Sequence, residues 1–194
     1  MAIKRHDAKL RICVFCGSRS SVDVRYQEAA AELGGALADH GIGLVYGGSA
    51  AGLMGILANA ALEHGGSVTG VVPQFLVKTE TAHEALTELR TVTSLAERKS
   101  TMSDLSDAFI VMPGGFGTMD EMFEVLCEAQ LGLHSKPCVL LNVGNFFQHL
   151  IAFLDHATSQ GLISISHRAL VMDAVSVCET LATFGSIDWQ PEGM

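Results

Sequence analysis

The stretch Pro113-Gly114-Gly115-Phe116-Gly117-Thr118-Met119-Asp120-Glu121 holds the residue types for chemistry on a phosphorylated compound. An apolar run, Ala108 to Met112, enters it, and a helix-like run, Met119 to Leu133, leaves it. A glycine-rich turn between a buried strand and a helix N-terminus presents free N–H groups and a positive dipole end to an anion. Glu121 follows one turn into that helix. A carboxylate beside an anion cradle fits catalysis on a phosphorylated substrate, beyond binding alone. The same residues allow a plainer reading. With Thr118 as N-cap, Glu121 stands at the third helical position and completes a T-x-x-E capping box. The two roles are compatible.

Two more loops follow strand-like runs: Cys16-Gly17-Ser18-Arg19-Ser20, and Tyr46-Gly47-Gly48-Ser49-Ala50-Ala51-Gly52-Leu53-Met54-Gly55. Ser18, Gly47 and Gly48 are therefore candidate substrate contacts, although tight packing accounts for the glycines equally well. Neither loop is a standard nucleotide motif. Gly17-Ser18-Arg19 breaks the G-x-G-x-x-G fingerprint, and Leu53-Met54 stands where a P-loop needs Lys and Ser/Thr. A monophosphate suits these loops better than a triphosphate, since no Mg²⁺-handling residue is evident. Arg98-Lys99 sits on a helix-like run before the strand that feeds the Gly-rich turn. A guanidinium suits phosphate, but a solvated helix face pairing with Glu97 or Asp104 explains the pair as simply. The eight histidines are scattered and show no metal-ligand spacing, so no metal and no cofactor are expected. Ser18 lacks a G-x-S-x-G elbow, which argues against a serine hydrolase.

The positioning elements are strands alternating with helices. Strand-like runs fall at Arg11 to Cys16, Ile42 to Tyr46, Ser67 to Val72, Leu89 to Thr93, Ala108 to Met112 and Pro137 to Leu141. Helical patterns fall at Asp23 to His40, Gly52 to His64, Leu95 to Ser106, Phe146 to Ser159 and Val175 to Phe184. The pattern predicts a single Rossmann-like α/β domain, a parallel sheet with helices on both faces. It spans 11–186, with a flexible lead-in at 1–10 and a tail at 187–194. The long polar loop Gln74 to Glu88 lies where such sheets carry function. With 48% hydrophobic residues the chain is no candidate for disorder, and its net charge of −9 argues against a nucleic-acid partner. The lack of an eighteen-residue apolar run and of a signal segment predicts no membrane partner and a cytoplasmic location. Five cysteines, an odd number in a mid-sized chain, argue against a disulfide framework, and Cys13-x-x-Cys16 reads as core.

Nearly the whole chain resembles the LOG family, cytokinin riboside 5′-monophosphate phosphoribohydrolases once labelled possible lysine decarboxylases. The resemblance rests on Ile12 to Ser18, Leu44 to Gly48, Gly52 to Gly55, Gly70 to Pro73, Arg98-Lys99 with Met102, and P-G-G-x-G-T-x-x-E at Pro113 to Glu121. It continues through Ala129 to Gly132 and Lys136-Pro137. It implies a homodimer that cleaves a nucleoside 5′-monophosphate, AMP or an N6-substituted AMP, into base and ribose 5-phosphate. By motif position Arg98 and Glu121 carry over as the catalytic pair. Glu80, Lys99, Gly114, Gly115, Phe116, Gly117 and Thr118 carry over as substrate contacts. Ser49 stands where a third glycine is common, and Cys127-Glu128 replaces a frequent Thr-Trp pair. That second change bears on base preference if the pair lines the base pocket. A non-catalytic carrier of a nucleotide or a molybdopterin-type cofactor is the competing function.

Overall fold

The computed structural model describes residues 10–77 and 83–186. Its strands are β1 Leu10–Phe15, β2 Ile42–Tyr46, β3 Val68–Pro73, β4 Glu88–Val92, β5 Ala108–Val111, β6 Cys138–Leu141 and β7 Val171–Ala174. All pair in parallel, in the order β4-β3-β2-β1-β5-β6-β7. The helices are α1 Val24–Asp39, α2 Gly52–Glu63, α3 Gln74–Val77, α4 Leu95–Asp104, α5 Phe116–Gln130, α6 Gln148–Ser159, α7 Ile165–Arg168 and α8 Val177–Ser186. A 3₁₀ turn, Val143–Asn145, follows β6.

Near-continuous apolar strands need cover on both faces. Side chains alternate along a strand, so β1 sends Ile12 and Val14 to one face and Cys13 and Phe15 to the other. The first face packs under α1, α2 and α8 through Leu33, Leu37, Leu57 and Phe184. The second packs under α4, α5 and α6 through Met102, Met122 and Leu154. Cys13 and Cys16 thus belong to opposite layers, and burial drives both thiols above their ordinary pKa. They are core groups.

Strand order reverses between β1 and β5. From β1 the chain steps outward to β2, and from β5 it steps the other way to β6. The carboxyl ends of β1 and β5 therefore part into a crevice, the usual ligand position in such sheets. Backbone pairing runs past the strands there: Met112 N–H donates to Phe15 O at 2.9 Å, and Gly17 N–H to Pro113 O at 3.1 Å.

Several expectations change. The strand β7 and the short helices α3 and α7 carry no readable period; β7 has four residues and exposes Asp173 at the sheet edge. Leu10 opens β1, so the lead-in does not reach 10; positions 1–9 and 187–194 lie outside the described residues. The stretch read as a loop from Gln74 to Glu88 opens with α3 and ends in β4, and His83 within it is buried, its ring 2.8 Å from Asn59 Oδ1.

Helix α1 lies so close to α2 that a Cβ on Gly34 would run into Leu57 O. Overpacking of this kind costs about 1–3 kcal/mol. Gly34→Ala is expected to lower the melting temperature by roughly 2–10 °C. Gly185→Ala, where an added Cβ meets nothing within 4 Å, should hold or raise it. Paired thermal melts check this.

Candidate active site

The turn after β5 feeds α5 earlier than the pattern predicts. Helix α5 begins at Phe116, and its N-cap is Gly115, which has no side chain to cap it. Thr118 is therefore the third helical residue and Glu121 lies in the second turn. The T-x-x-E capping box is not formed. Two S-x-x-E pairs elsewhere do cap. Ser94 Oγ accepts from Glu97 N–H at 3.1 Å, while Glu97 accepts from Thr93 N–H at 2.7 Å. Ser176 and Glu179 do the same for α8. The first amides of α5 are left without a side-chain cap, beside a cavity of about 490 Å³.

Gly114, Gly115, Phe116, Gly117, Thr118 and Glu121 all line that cavity, with Ser18, Gly47 and Arg98. Gly114 is closed against Thr118, where a Cβ would strike the threonine side chain; Cβ atoms on Gly115 and Gly117 would meet nothing within 4 Å. The glycine character of those two leaves open backbone facing the cavity. Phe116 is 97% exposed at its rim.

Arg98 enters from α4, and the solvated-face reading does not hold for it. Its side chain is only 13% exposed. Its Nε donates to Val71 O at 3.1 Å and its Nη2 to Gly47 O at 2.9 Å. Its Nη1 stands 3.6 Å from Glu121 Oε1. Any Cβ on Gly47 would collide with that guanidinium, so this glycine makes room for Arg98. Glu121, 11% exposed, has its pKa pushed up to about 7, chiefly by burial, with Arg98 pulling the other way.

Two expected contacts lie off the cavity wall. Lys99 pairs neither with Glu97 nor with Asp104; its ammonium is held by Asp120, at 3.0 Å, and by Glu124. Gly48, at φ +76°, turns the chain beside Val72 and Gly70. Glu80 lies outside the described residues.

An apolar wall went unread. Tyr26 and Phe146 line the cavity and meet edge-on, ring centroids 5.7 Å apart, with Val22, Leu53 and Met54 around them. Tyr26 carried no signal beyond its place on an amphipathic helix, and Phe146 none at all. Cys127 is exposed on α5 and Glu128 is not a lining residue, so the Cys127-Glu128 pair does not shape this wall. Ser49 is buried and its Oγ accepts from Ala51 N–H at 3.2 Å, a turn role a glycine lacks. Among the described residues no group of three His, Cys, Asp or Glu is placed to hold a metal, and no lysine lines the cavity. No described helix is long and apolar enough to cross a membrane.

The arrangement combines an open helix N-terminus for an anion, a buried near-neutral carboxylate and an apolar wall. Known proteins are similar to this chain over most of its length. The family described as "Possible lysine decarboxylase" matches residues 54–183. The cytokinin riboside 5′-monophosphate phosphoribohydrolase LOG of Oryza sativa subsp. japonica is 44% identical over 169 residues, 87% of this chain and 70% of that protein. The cytokinin riboside 5′-monophosphate phosphoribohydrolase of Rhodococcoides fascians is 46% identical over 162 residues, 83% and 82% of the two chains. Among solved structures, the molybdenum cofactor carrier protein of Chlamydomonas reinhardtii has a TM-score of 0.67 at 25% identity, covering 91% of this chain and 96% of that one. These identities and the shared site motif place the chain in the LOG family of phosphoribohydrolases, the family described as possible lysine decarboxylases.

Proposed function

We propose that this enzyme hydrolyses the N-glycosidic bond of a nucleoside 5′-monophosphate, AMP or an N6-substituted AMP, giving the free base and ribose 5-phosphate. The observation that carries the reading is Glu121: a carboxylate 11% exposed, with a pKa near 7, in one cavity with an uncapped helix N-terminus.

Cleavage of the C1′–N bond sends its electron pair to the leaving base and leaves an oxocarbenium-like ribose. An ionised Glu121 stabilises that cation and accepts a proton from the water that attacks C1′; the departing base takes a proton from solvent, and Glu121 returns its own to solvent, which closes the cycle. Arg98 stays protonated at neutral pH and cannot act as the acid. Its Nη1 opposes the burial effect on Glu121 and keeps part of the carboxyl ionised. The phosphate rests on the Gly115–Thr118 amides, a remote anchor whose binding energy positions the ribose. The Tyr26–Phe146 wall, with Phe116 at the rim, offers aromatic surface for the base. The names of the Oryza and Rhodococcoides relatives support the reaction class. A Schiff-base decarboxylation would need a lysine at the cavity, and none of the described ones is there. The working assembly we infer is a homodimer, for which exposed Phe123 on α5 and Leu131 just after it offer apolar surface.

Incubation with AMP and with N6-isopentenyl-AMP, followed by chromatography, is expected to show free base from at least one. Release from neither, with binding intact, would overturn the hydrolase in favour of the carrier.

Glu121→Gln should fold and lose about 10²–10⁴-fold in kcat. Wild-type kcat/KM should rise with pH up to about 7 and level off above, since the ionised form is the active one. An unshifted glutamate ionises near 4.5 and this one near 7, so between those values folded stability declines as pH rises. Glu121→Gln should accordingly be more stable than the wild type at pH 8 by about 1–3 kcal/mol in denaturant unfolding, with the gap closing toward pH 5. A pH-independent wild-type rate would remove Glu121 from the reaction.

A further inference from the structure

The charge balance of the cavity leaves one cation without a task. Arg98 faces Glu121 and is tied to two carbonyls. Lys99 is held by Asp120 and Glu124, and Arg25 pairs with Asp23 at 2.7 Å. Arg90 and Arg168 pair with Glu88 and Asp155, and Lys136 donates to Ser103 O. Arg11 is buried and also has a partner. Among the described residues Arg19 is the cation with no hydrogen bond or ion pair, and it lines the cavity with its side chain exposed.

Its backbone is firmly placed. Gly17 N–H is bonded to Pro113 O at 3.1 Å, and Leu53 N–H to Gly17 O at 3.0 Å. A Cβ on Gly17 would touch Gly114 Cα at 3.4 Å. At Gly52, φ +59°, a Cβ would run into Ser18 and the Arg19 carbonyl. The loop that carries Arg19 is thus clamped between the anion turn and the start of α2.

A phosphate monoester carries about −1.5 to −2 charges at neutral pH. A helix N-terminus offers roughly half a charge, and Arg98 is offset by Glu121. The larger part of the phosphate charge needs another counter-ion. We propose that Arg19 supplies it, closing over the 5′-phosphate from the β1–α1 loop, and so sets the preference for a nucleotide over the bare nucleoside. The assignment rests on the nucleoside monophosphate reading of the cavity.

Calorimetric binding tests it without turnover. The probes are ribose 5-phosphate and adenosine, on wild type, Arg19→Gln and Arg19→Lys. Arg19→Gln is expected to weaken ribose 5-phosphate by roughly tenfold, the loss of one exposed charge-assisted hydrogen bond. Adenosine binding should not change, and Arg19→Lys should recover most of the affinity. Unchanged ribose 5-phosphate binding in Arg19→Gln overturns the assignment, even if AMP is cleaved. Equal weakening of both probes overturns it too, as does a wild type that binds no ribose 5-phosphate. Selective weakening upholds it, even if no base is ever released from AMP.

Discussion

Burial of the Glu121 carboxylate is the constraint to which the surrounding structure answers. Taking such a group out of water costs several kcal/mol in an unpaired setting. Its pKa, raised to about 7 chiefly by burial, reflects a cost that its partners offset only in part. Arg98 offsets part of it from 3.6 Å, but a guanidinium only 13% exposed has demands of its own. Those are met by Val71 O from β3 and by Gly47 O at the end of β2. Gly47 must then be a glycine, because a Cβ would occupy the space the guanidinium fills. An electrostatic requirement on α5 thus reaches, through α4, to the residue type at the end of a strand two places across the sheet from β5.

The same nine residues illustrate how a shift of three positions, from Thr118 to Gly115 as N-cap, changes chemistry. Three hydroxyl-x-x-Glu patterns occur near helix starts. At Ser94/Glu97 and Ser176/Glu179 both side chains bond backbone N–H groups and seal the helix end. At Thr118/Glu121 the helix has already begun, at Phe116, because Gly115 takes the extended cap conformation, φ −103° and ψ −150°. Thr118 turns inward against Gly114, and Glu121 passes into the cavity. What the cap would have satisfied stays open: amides that can receive an anion. The early helix start rules out capping at this position and leaves the Glu121 carboxyl at the cavity.

Much of the scaffold was legible. Apolar runs marked six of the seven strands, and their burial on both faces follows from composition. The edge strand β7 was not, since four residues with an exposed aspartate show no period. At the site, glycine turns and the converging loops were readable because backbone chemistry demands those residue types. Arg98 was ambiguous, because its partners are carbonyls 27 and 51 positions away and only the sheet brings them together. Tyr26 and Phe146 were silent for the same reason: aromatic residues at a loop end and on a helix are ordinary until strand order sets them against one cavity. Lys99 is a substrate contact by the family resemblance alone; its ammonium pairs with two acids on the neighbouring helix, partners the pattern did not indicate.

Likeness in fold cannot decide what the cavity does. A molybdenum cofactor carrier at 25% identity shares the architecture over 91% of this chain, and an anion cradle at a helix N-terminus serves storage as well as turnover. The difference has to lie in groups whose energetics a passive cradle would not need. A buried glutamate that is half-protonated near neutrality is such a group: it destabilises the folded chain at the pH where it is most ionised, and a binding site gains nothing by keeping it beside an anion. Replacement by glutamine would preserve shape and remove that penalty, so the acid is the group that separates the proposed hydrolase from a passive cradle. The net charge of −9 sharpens the point. A molecule that repels anions at long range needs short-range groups to hold one, and in the proposed reaction the uncapped α5 amides would do so within a helix turn of Glu121.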